Sequence, residues 1–450
     1  MLKAVTQADL GKKLIDDYVL VFGMYSIQNE IYAKMSLHVL LGQALCKNVY
    51  YRVGARKNDI RVHLLLVKPQ ATGKGAGYSL IERVANYIGL IFQSLTESTD
   101  AGLVGTTELD DERNKVIVPG LLQTADIVGM EEASVIFDFT NEFSKKNMTY
   151  FQITMNPLLS SSCEINKRLG GIDIKFKPHA SLILLTYPPD KLVDKLLKTG
   201  FMDRVIAVFE DVTLADRLSV LKQMTNTATA SDIADQEEFV KYRLKKVIEF
   251  FQKSEICINI TPEIHKLILN VIDECAMKIL DASPKARDKL EHFISRLYGN
   301  LVNLTIHHAL LHRRTNLEVA DVLYARLTYM PIWRNLIISI ESLLIISATE
   351  LHRQHRIIRT SLEEYDLQIK SGKFVKENVW VRRRTMVENL KMRWEQCSTE
   401  TADNNLRKLE KLPESVYGDF GKVASYEKDK FFESKPIGDV VYLRKIRDVT

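Results

Sequence analysis

The residues of this chain that are most suggestive of chemistry lie in a glycine- and lysine-containing stretch at 68–75, KPQATGKG. A phosphate-binding loop has the pattern GxxxxGK[ST] between a buried strand and a helix, where backbone N–H groups hold phosphates and the lysine neutralises their charge. Gly73 and Lys74 match this pattern. Lys68 stands where the first glycine is expected, and Gly75 replaces the Ser or Thr whose hydroxyl holds Mg²⁺. The alternative is a strand-to-helix turn that binds no ligand.

A second motif is the segment 133–142, ASVIFDFTNE, an apolar run followed by acidic and polar residues. In P-loop ATPases a buried strand of this kind delivers a metal-binding carboxylate and a glutamate that polarises water beside the γ-phosphate. Two alignments are open. Either Asp138 is the metal-side acid and binds Mg²⁺ through water, or Asn141 and Glu142 form the pair with Asn in place of Asp. Glu142 is the general base in both, and a strand with a polar end is the alternative.

Two further segments place polar side chains beside apolar runs. Residues 181–186, SLILLT, end on Thr186, whose hydroxyl could contact the γ-phosphate or the attacking water. Arg204 precedes the apolar run 205–209. An arginine there could reach the phosphate of a neighbouring subunit and stabilise transition-state charge. The alternative for Arg204 is an ordinary surface position.

The elements that must position these side chains alternate between strand and helix. A helical pattern over 78–94 follows the first strand. This alternation predicts an α/β fold with a parallel sheet. Continuous apolar runs predict its buried strands at 60–67, 133–140, 180–186 and 205–209.

Outside this region the patterns are mainly helical, and the chain is predicted to fall into four parts. Helical periodicity marks the first sixty residues, and no convincing strand appears between the core and about residue 372. The predicted parts are an N-terminal helical segment at 1–59, an α/β core at 60–213, a helical domain at 214–372 and a small basic domain at 373–450.

The formal net charge of +5 lies in residues 351–450, because residues 1–350 carry equal numbers of basic and acidic residues. Two helices are predicted at 385–395 and 399–412, and a β-wing at 414–446. Helices joined by a turn and followed by a hairpin are typical of a winged helix. Duplex DNA is its expected partner, with a protein contact as the alternative. The basic residues expected at the DNA are Arg382, Arg383 and Arg384.

Composition excludes several classes of protein. With 46% hydrophobic and 26% charged residues, the chain is neither collagen-like nor wholly disordered. The 5 cysteines are scattered without a CxxC pair, so neither a zinc site nor a disulfide framework is expected. No apolar run is long enough to span a bilayer, and the N-terminus lacks the order of a secretory signal. We therefore expect no membrane partner and a cytoplasmic, nucleoid-associated location or a viral replication complex.

The order of the motifs resembles that of AAA+ replicative helicases of the minichromosome-maintenance (MCM) type, and is similar to helicase-like ATPases of phages and plasmids. Residues 118–126, VPGLLQTAD, resemble the family's stretch before the acidic strand, and 141–145, NEFSK, its Asp-Glu-Phe-Asp-Lys segment. Residues 165–178 stand where the family has its pre-sensor hairpin. Residues 200–205, GFMDRV, resemble the arginine-finger segment.

This resemblance implies an AAA+ core with an all-helical lid and a C-terminal winged helix, assembled as a homo-oligomeric ring, expected to be a hexamer, that uses ATP and Mg²⁺. Glu142, Thr186 and Arg204 inherit the catalytic roles, with Arg204 acting in trans. The lid arginine is either Arg287 or Arg296. The residues implied in nucleotide binding are Thr72, Gly73, Lys74, Gly75, Asp138, Asn141 and one of those two arginines.

The implied hairpin carries Arg168, Lys175 and Lys177. Strand alternation puts the two lysines on one face, where in a ring they would line the pore and grip single-stranded DNA through its phosphates. The function expected is an ATP-dependent DNA helicase or translocase in DNA replication. The alternatives are a weakly hydrolysing or non-hydrolysing AAA+ initiator or scaffold, and an AAA+ protein-remodelling ATPase.

Overall fold

The computed structural model divides the chain into two compact units, residues 1–343 and 344–450. Among the described helices none is long and apolar enough to cross a membrane. The described residues are 7–25, 30–69, 72–95, 99–109, 115–134, 142–169, 172–187, 200–210, 230–282, 284–370, 374–375, 380–393, 403, 432–437 and 440–445.

The first unit combines a set of strands with a larger mass of helix. Its strands are β1 (Val49–Val53), β2 (Arg56–Asp59), β3 (Leu64–Val67), β4 (Phe92–Ser94), β5 (Gly105–Leu109), β6 (Lys115–Pro119), β7 (Ile127–Met130), β8 (Ile165–Leu169), β9 (Ile172–Phe176), β10 (Ser181–Thr186), β11 (Ile206–Phe209) and β12 (Ile256–Ile258). Its helices are α1 (Gln7–Tyr25), α2 (Glu30–Leu45), α3 (Lys74–Tyr87), α4 (Asp100–Val104), α5 (Leu121–Thr124), α6 (Glu142–Thr154), α7 (Ala230–Phe251), α8 (Pro262–Leu280), α9 (Pro284–Leu311) and the first part of α10 (Val319–Lys370).

A five-stranded, all-parallel sheet forms the centre of this unit, in the order β11–β3–β10–β7–β4. Every residue of β3, β7, β10 and β11 is buried, which is why these segments are almost entirely apolar, with Ser181 and Thr186 at the ends of β10 as the polar residues. Strand β3 lies between β11 and the central strand β10, and the chain passes from β3 to β4 at the far edge. Such a sheet is compatible with a P-loop-like core, and ligands of open parallel sheets bind at the carboxyl ends of the strands. The prediction of a parallel α/β sheet is confirmed.

The N-terminal helices are part of this core. Helix α2 is buried on nearly all sides, with Leu37, Leu40 and Leu41 fully covered, and it contacts β3, β10 and α3. Helix α1 packs on α2 and α7. At Gly42 a Cβ would lie 2.7 Å from the Ile60 carbonyl oxygen, so this close approach of α2 to the chain before β3 requires glycine. An all-round apolar helix is typical of a buried position.

A second, small sheet joins segments that the sequence analysis assigned to different domains. Strand β1 pairs antiparallel with β2 and parallel with β12, which lies in the region predicted to be wholly helical. Strand β12 has only three residues, Ile-Cys-Ile, too few to show a strand pattern. The predicted parts 1–59 and 60–213 and most of 214–372 therefore belong to one compact unit.

The second unit contains the remainder of helix α10, a four-stranded sheet and a further helix. The strands β13 (Phe374–Val375), β14 (Trp380–Arg382), β15 (Phe432–Ile437) and β16 (Val440–Lys445) lie in the order β13–β14–β16–β15, with antiparallel pairing throughout. Helix α11 (Arg383–Arg393) follows β14. The predicted C-terminal hairpin is confirmed. Of the second predicted helix, at 399–412, only residue 403 is described.

Candidate phosphate-binding site

The predicted strand–loop–helix at the glycine-rich turn is present. Strand β3 ends at Val67 and helix α3 begins at Lys74. Gly73 precedes the helix with φ of 77°, in the left-handed region that favours glycine. The Thr72 hydroxyl donates to the Pro69 carbonyl oxygen at 2.9 Å, which fixes the loop. The first N–H groups of α3 have no partner within the helix, and the helix N-terminus carries a partial positive charge. Both features favour the binding of an anion beside the loop.

The Lys74 side chain lies across the carboxyl end of the sheet. Its amine donates to the carbonyl oxygens of Lys68 and Thr186 at 2.8 and 3.2 Å, and lies 3.6 Å from the centre of the Tyr187 ring. Burial lowers the pKa of this amine to about 8. The ammonium therefore donates to carbonyl oxygens beside the N-terminus of α3, where a bound phosphate would pair with it.

Two glutamates follow strand β7. Met130, its last residue, lies opposite Leu184 of β10, so Glu131 and Glu132 emerge at the same edge of the sheet as Lys74. The Glu132 carboxylate accepts a hydrogen bond from the Ser134 hydroxyl. Burial and a hydrogen bond with Glu132 raise the pKa of the Tyr187 hydroxyl. Both carboxylates oppose the effect of burial on the pKa of Lys74. A cation and two acids thus share one edge of the sheet.

The predicted position of the acidic strand, 133–140, is wrong where it can be compared. Ala133 and Ser134 are helical, and the strand beside β10 is β7. Glu142 is the first residue of α6 and does not end a strand. Asp138 and Asn141 lie outside the described residues. Strand β7 has only four residues, and Gly129 interrupts its apolar run, so the sequence pattern did not indicate a strand there. Glu131 and Glu132 follow it directly.

Gly129 has a packing reason that the sequence does not reveal. A Cβ at this position would overlap the hydroxyl of Tyr78 on α3 and would lie 2.6 Å from the Phe92 ring. Glycine in β7 therefore lets α3 and β4 approach the strand. This close approach is what shortens the apolar run and hides the strand in the sequence.

Gly75 lies directly against Glu131. A Cβ at position 75 would be 2.6 Å from Oε1 of Glu131, so the carboxylate fills the space in which a Ser or Thr side chain would begin. Mg²⁺ in nucleotide sites takes one or two carboxylates together with substrate phosphates. The oxygen donors at this edge, one of them in the place of the usual P-loop hydroxyl, fit such an ion.

Lys68, at the position of the first P-loop glycine, has a structural role. Its ammonium forms an ion pair with Glu210 at 2.8 Å, and both side chains are largely buried. Its backbone N–H donates to Thr186, and the N–H of Glu210 donates to Val67. Burial raises the pKa of Glu210, and Lys68 opposes that shift. The pair therefore fastens the ends of β3 and β11 beneath the loop.

Thr186 contacts the site through its backbone carbonyl oxygen and not through its hydroxyl. Its carbonyl oxygen accepts from the Lys68 N–H and from the Lys74 amine. The hydroxyl is buried, and its described contact is a 3.4 Å hydrogen bond to the Tyr187 carbonyl oxygen. The strand predicted at 180–186 is confirmed as β10, and the side chain that follows it at the site is Tyr187.

Arg204 lies at the other end of the sheet. It ends the helical turn Met202–Arg204 that precedes β11, and β11 runs parallel to β3, so Arg204 is at the amino edge and Lys74 at the carboxyl edge. Its guanidinium donates to the Gly200 carbonyl oxygen. Burial lowers the pKa of Arg204. Within one chain the predicted finger and the predicted phosphate loop are therefore apart.

Arg296 accompanies Arg204. Each guanidinium lies 3.7 Å from a carboxylate oxygen of Asp203. These three side chains line a cavity of about 510 Å³ that also exposes Arg56 and Tyr298. The cavity is rich in cations and opens at the amino edge of the sheet. Arg296, one of the two predicted lid arginines, therefore shares the location of Arg204 and not that of Lys74.

Arg287, the other predicted lid arginine, caps a helix. Its guanidinium donates to the carbonyl oxygens of Leu280 and Ala282, at the end of α8, at 2.7 and 3.5 Å. Terminal carbonyl groups of a helix lack intrahelical partners, so this contact stabilises α8. The structure thus gives Arg287 a helix-capping contact.

The predicted hairpin is present as β8 and β9. Ile174 is buried and Lys175 is exposed, as alternation predicts, and Lys177 is exposed just beyond β9. Lys175 lies 3.2 Å from Glu164, and Arg168 lies 3.7 Å from Asp173. Both ion pairs are solvated, so these cations stay available to a polyanion.

In the second unit the three predicted DNA-binding arginines have different surroundings. Arg382 ends β14 and is exposed. Arg383 donates to Asp403 at 2.8 Å, and Arg384 donates to Glu388 at 3.0 Å. Arg384 is the most open of these ion-paired arginines, with 90% of its side chain exposed.

A scan against models of protein families finds no match for this chain, and a search of curated proteins finds no similar sequence.

Proposed function

We propose that this chain is an ATP-dependent, DNA-engaging motor of MCM-like AAA+ type that acts in DNA replication. The observation that carries the proposal is the meeting of Lys74, Glu131 and Glu132 at the carboxyl edge of a parallel sheet, beside the N-terminus of α3. Cation, acids and helix N-terminus are the groups that phosphoryl transfer to water requires. A plain strand-to-helix turn would need none of them at that edge.

In this proposal each side chain at the edge has one task. Lys74 pairs with the β- and γ-phosphates, and its surroundings of carbonyl oxygens and Tyr187 leave its charge available to them. Glu132 accepts a proton from the attacking water, while Tyr187, which shares a hydrogen bond with Glu132, orients that carboxylate. Bound Mg²⁺ would neutralise charge on the phosphate oxygens. Glu132 thereby takes the role that the sequence analysis gave to Glu142.

Hydrolysis in this proposal needs a second subunit. Arg204 and Arg296 lie at the amino edge and face a cavity, so they would complete the site of a neighbouring subunit. Two guanidiniums at one phosphate stabilise the charge that spreads over its oxygens. A ring, with six subunits as the family resemblance implies, gives every site such a neighbour. The helical lid and the winged helix belong to the same proposal.

DNA contact is proposed at two places. The exposed cations of the β8–β9 hairpin, Arg168, Lys175 and Lys177, suit single-stranded DNA in a ring pore. The second unit, with Arg382, Arg383 and Arg384 beside its sheet, suits duplex DNA. Such contacts are to phosphates and carry no base information.

The experiment that tests the function is ATP turnover by the full chain with and without single-stranded DNA, on the wild type and on E132Q. The proposal expects turnover that DNA stimulates, and its loss in E132Q while ATP binding remains. E142Q is the matched control and should keep its activity. ATP binding without turnover in the wild type would instead identify a nucleotide-binding scaffold. Turnover that ignores DNA would favour a protein-remodelling ATPase.

A further inference from the structure

We infer that Glu131 takes the place of the missing P-loop hydroxyl, so that its carboxylate is the metal-side ligand of nucleotide-bound Mg²⁺ and Gly75 is glycine in order to admit it. This inference rests on the proposed nucleotide site. It assigns a Mg²⁺ ligand to Glu131 and explains Gly75 as the residue that leaves room for this ligand.

The first step is that the two side chains compete for one volume. The ideal Cβ position of residue 75 is 2.6 Å from Oε1 of Glu131, closer than real Cβ contacts come. Among the described residues, and apart from the chain neighbours and backbone of α3 itself, the Glu131 carboxylate is the group within 4 Å of that position. A Ser or Thr at position 75 would therefore require this carboxylate to move. The P-loop hydroxyl and the carboxylate thus compete for the same space.

The second step is that the backbone does not require glycine at this position. Gly73 has a positive φ, whereas Gly75 does not have a positive φ and belongs to α3. Gly75 is the second residue of α3, and helical backbone angles there do not require glycine. Conformation therefore gives no reason for Gly75, and the contact with Glu131 gives one.

The third step concerns the length of the acid. Glu131 has one methylene more than the aspartate usual at this position of P-loop ATPases, and the extra reach brings its oxygen to the start of α3. The side chain is exposed at the edge of the sheet, so an incoming metal–nucleotide complex can reach it. Since Mg²⁺ accepts one or two carboxylates together with phosphates, the longer acid replaces both the shorter acid and the hydroxyl.

The test measures how much Mg²⁺ strengthens the binding of a non-hydrolysable ATP analogue, by titrating the full chain in Mg²⁺ and in EDTA. The variants are E131Q, G75S and the double variant G75S/E131D, with E108Q on β5 as an exposed control. Mn²⁺ in place of Mg²⁺ gives a second readout, because its paramagnetic resonance spectrum reports the ligands directly. Circular dichroism checks that each variant is folded.

The inference expects E131Q to lose at least about tenfold of the Mg²⁺ enhancement, since outer-shell partners of metals alone cost about 10–100-fold in metal affinity. Affinity in EDTA should stay unchanged in E131Q. G75S should lose the enhancement as well, because its side chain displaces the carboxylate, and G75S/E131D should recover it by restoring the usual pair. E108Q should behave like the wild type.

Full Mg²⁺ enhancement in E131Q, or in G75S with an unaltered Mn²⁺ spectrum, would overturn the inference while leaving the nucleotide site intact. If G75S fails to fold, E131Q decides alone, because it preserves shape at an exposed position. Absence of nucleotide binding by the wild type in both Mg²⁺ and EDTA would overturn the proposed function itself, and this inference with it.

Discussion

Lys74 and Arg204 lie at opposite ends of one parallel sheet, and this separation governs how they can act together. Leu64 of β3 pairs with Ile206 of β11, and Val67 pairs with Phe209, so the two strands start and finish level. Four strand residues at about 3.3 Å each put at least about 10 Å between the two edges. The Lys74 amine donates to Thr186 at the carboxyl edge and the Arg204 guanidinium donates to Gly200 at the amino edge, so in this structure the two cations do not meet at one site.

Mixing subunits should therefore restore activity that each variant lacks alone. We expect R204A to lower turnover by about 10³-fold or more, as loss of a trans-acting arginine does, with little change in ATP affinity. E132Q should be inactive for a different reason, the loss of its proton acceptor. A mixed ring contains interfaces with an intact Glu132 and an intact Arg204, so partial activity should return. Steady-state ATPase rates at several mixing ratios measure this. Rates that are strictly additive would show that Arg204 acts at the site of its own subunit.

The affinity for ATP should fall at alkaline pH because of Lys74. Its pKa is lowered to about 8 by burial, and bound phosphates favour the ammonium, so above that pH the protein must take up a proton to bind nucleotide. The dissociation constant should be level between about pH 6.5 and 7.5, then rise by up to about tenfold per pH unit. In K74R the guanidinium stays charged, and the alkaline rise should vanish. Isothermal titration calorimetry in several buffers checks both variants.

Replacing Lys175 and Lys177 with alanine should weaken single-stranded DNA binding equally for all sequences. Each lost phosphate contact should reduce the slope of log affinity against log salt by about 0.7. K266A, which removes an exposed lysine from α8, is the matched control and should keep the slope. Salt-titrated fluorescence anisotropy gives the slopes. If the double variant keeps the full slope and removal of residues 376–450 abolishes binding, DNA contact lies in the second unit alone.

The buried pair of Arg61 and Asp59 should be the most sensitive electrostatic contact of the first unit. Arg61 donates to Asp59 at 2.9 Å and to the carbonyl oxygens of Thr154, Ala180 and Asn156. R61A leaves Asp59 buried without its counter-charge, so the free energy of unfolding should fall by about 3–5 kcal/mol. The exposed pair of Lys57 and Glu255 provides the control, and K57A should change little. Urea denaturation followed by tryptophan fluorescence compares the two.

The sequence predicted the parts of the fold that depend on long apolar runs. Strands β3, β10 and β11 follow such runs, and their order with the loop at Lys74 indicated the parallel sheet correctly. Strand β7 was not predicted because Gly129 interrupts its apolar run. The glycine makes room for Tyr78, which belongs to an element far away in the chain. Nothing in the sequence indicated that Glu131 and Glu132 would follow a strand at this edge, and of the segment 138–142 the structure describes only Glu142, the first residue of α6. Distances across the sheet, such as that between Gly75 and Glu131, have no local signature in the sequence.

The positions of the arginines show the same limit. The sequence correctly placed Arg204 directly before β11, because the apolar run that forms the strand begins at the next residue. Whether Arg287 or Arg296 joins the site depends on how α9 crosses the sheet, which periodicity does not specify. The structure puts Arg296 beside Asp203 and Arg287 on the end of α8. Neither contact brings a guanidinium to Lys74, so the assignment of a lid arginine stays a prediction.

The measurement that tests the central claim most directly is ATP binding to the full chain and to K74A. Lys74 supplies the cation of the loop, and its removal leaves phosphates with backbone N–H groups alone, so the account predicts micromolar-range binding by the wild type and a loss of at least about tenfold in K74A. The exposed K266A serves as the control and should bind like the wild type. Equal affinity of K74A and the wild type, or no binding by either, would contradict the phosphate-binding site at the carboxyl edge of the sheet.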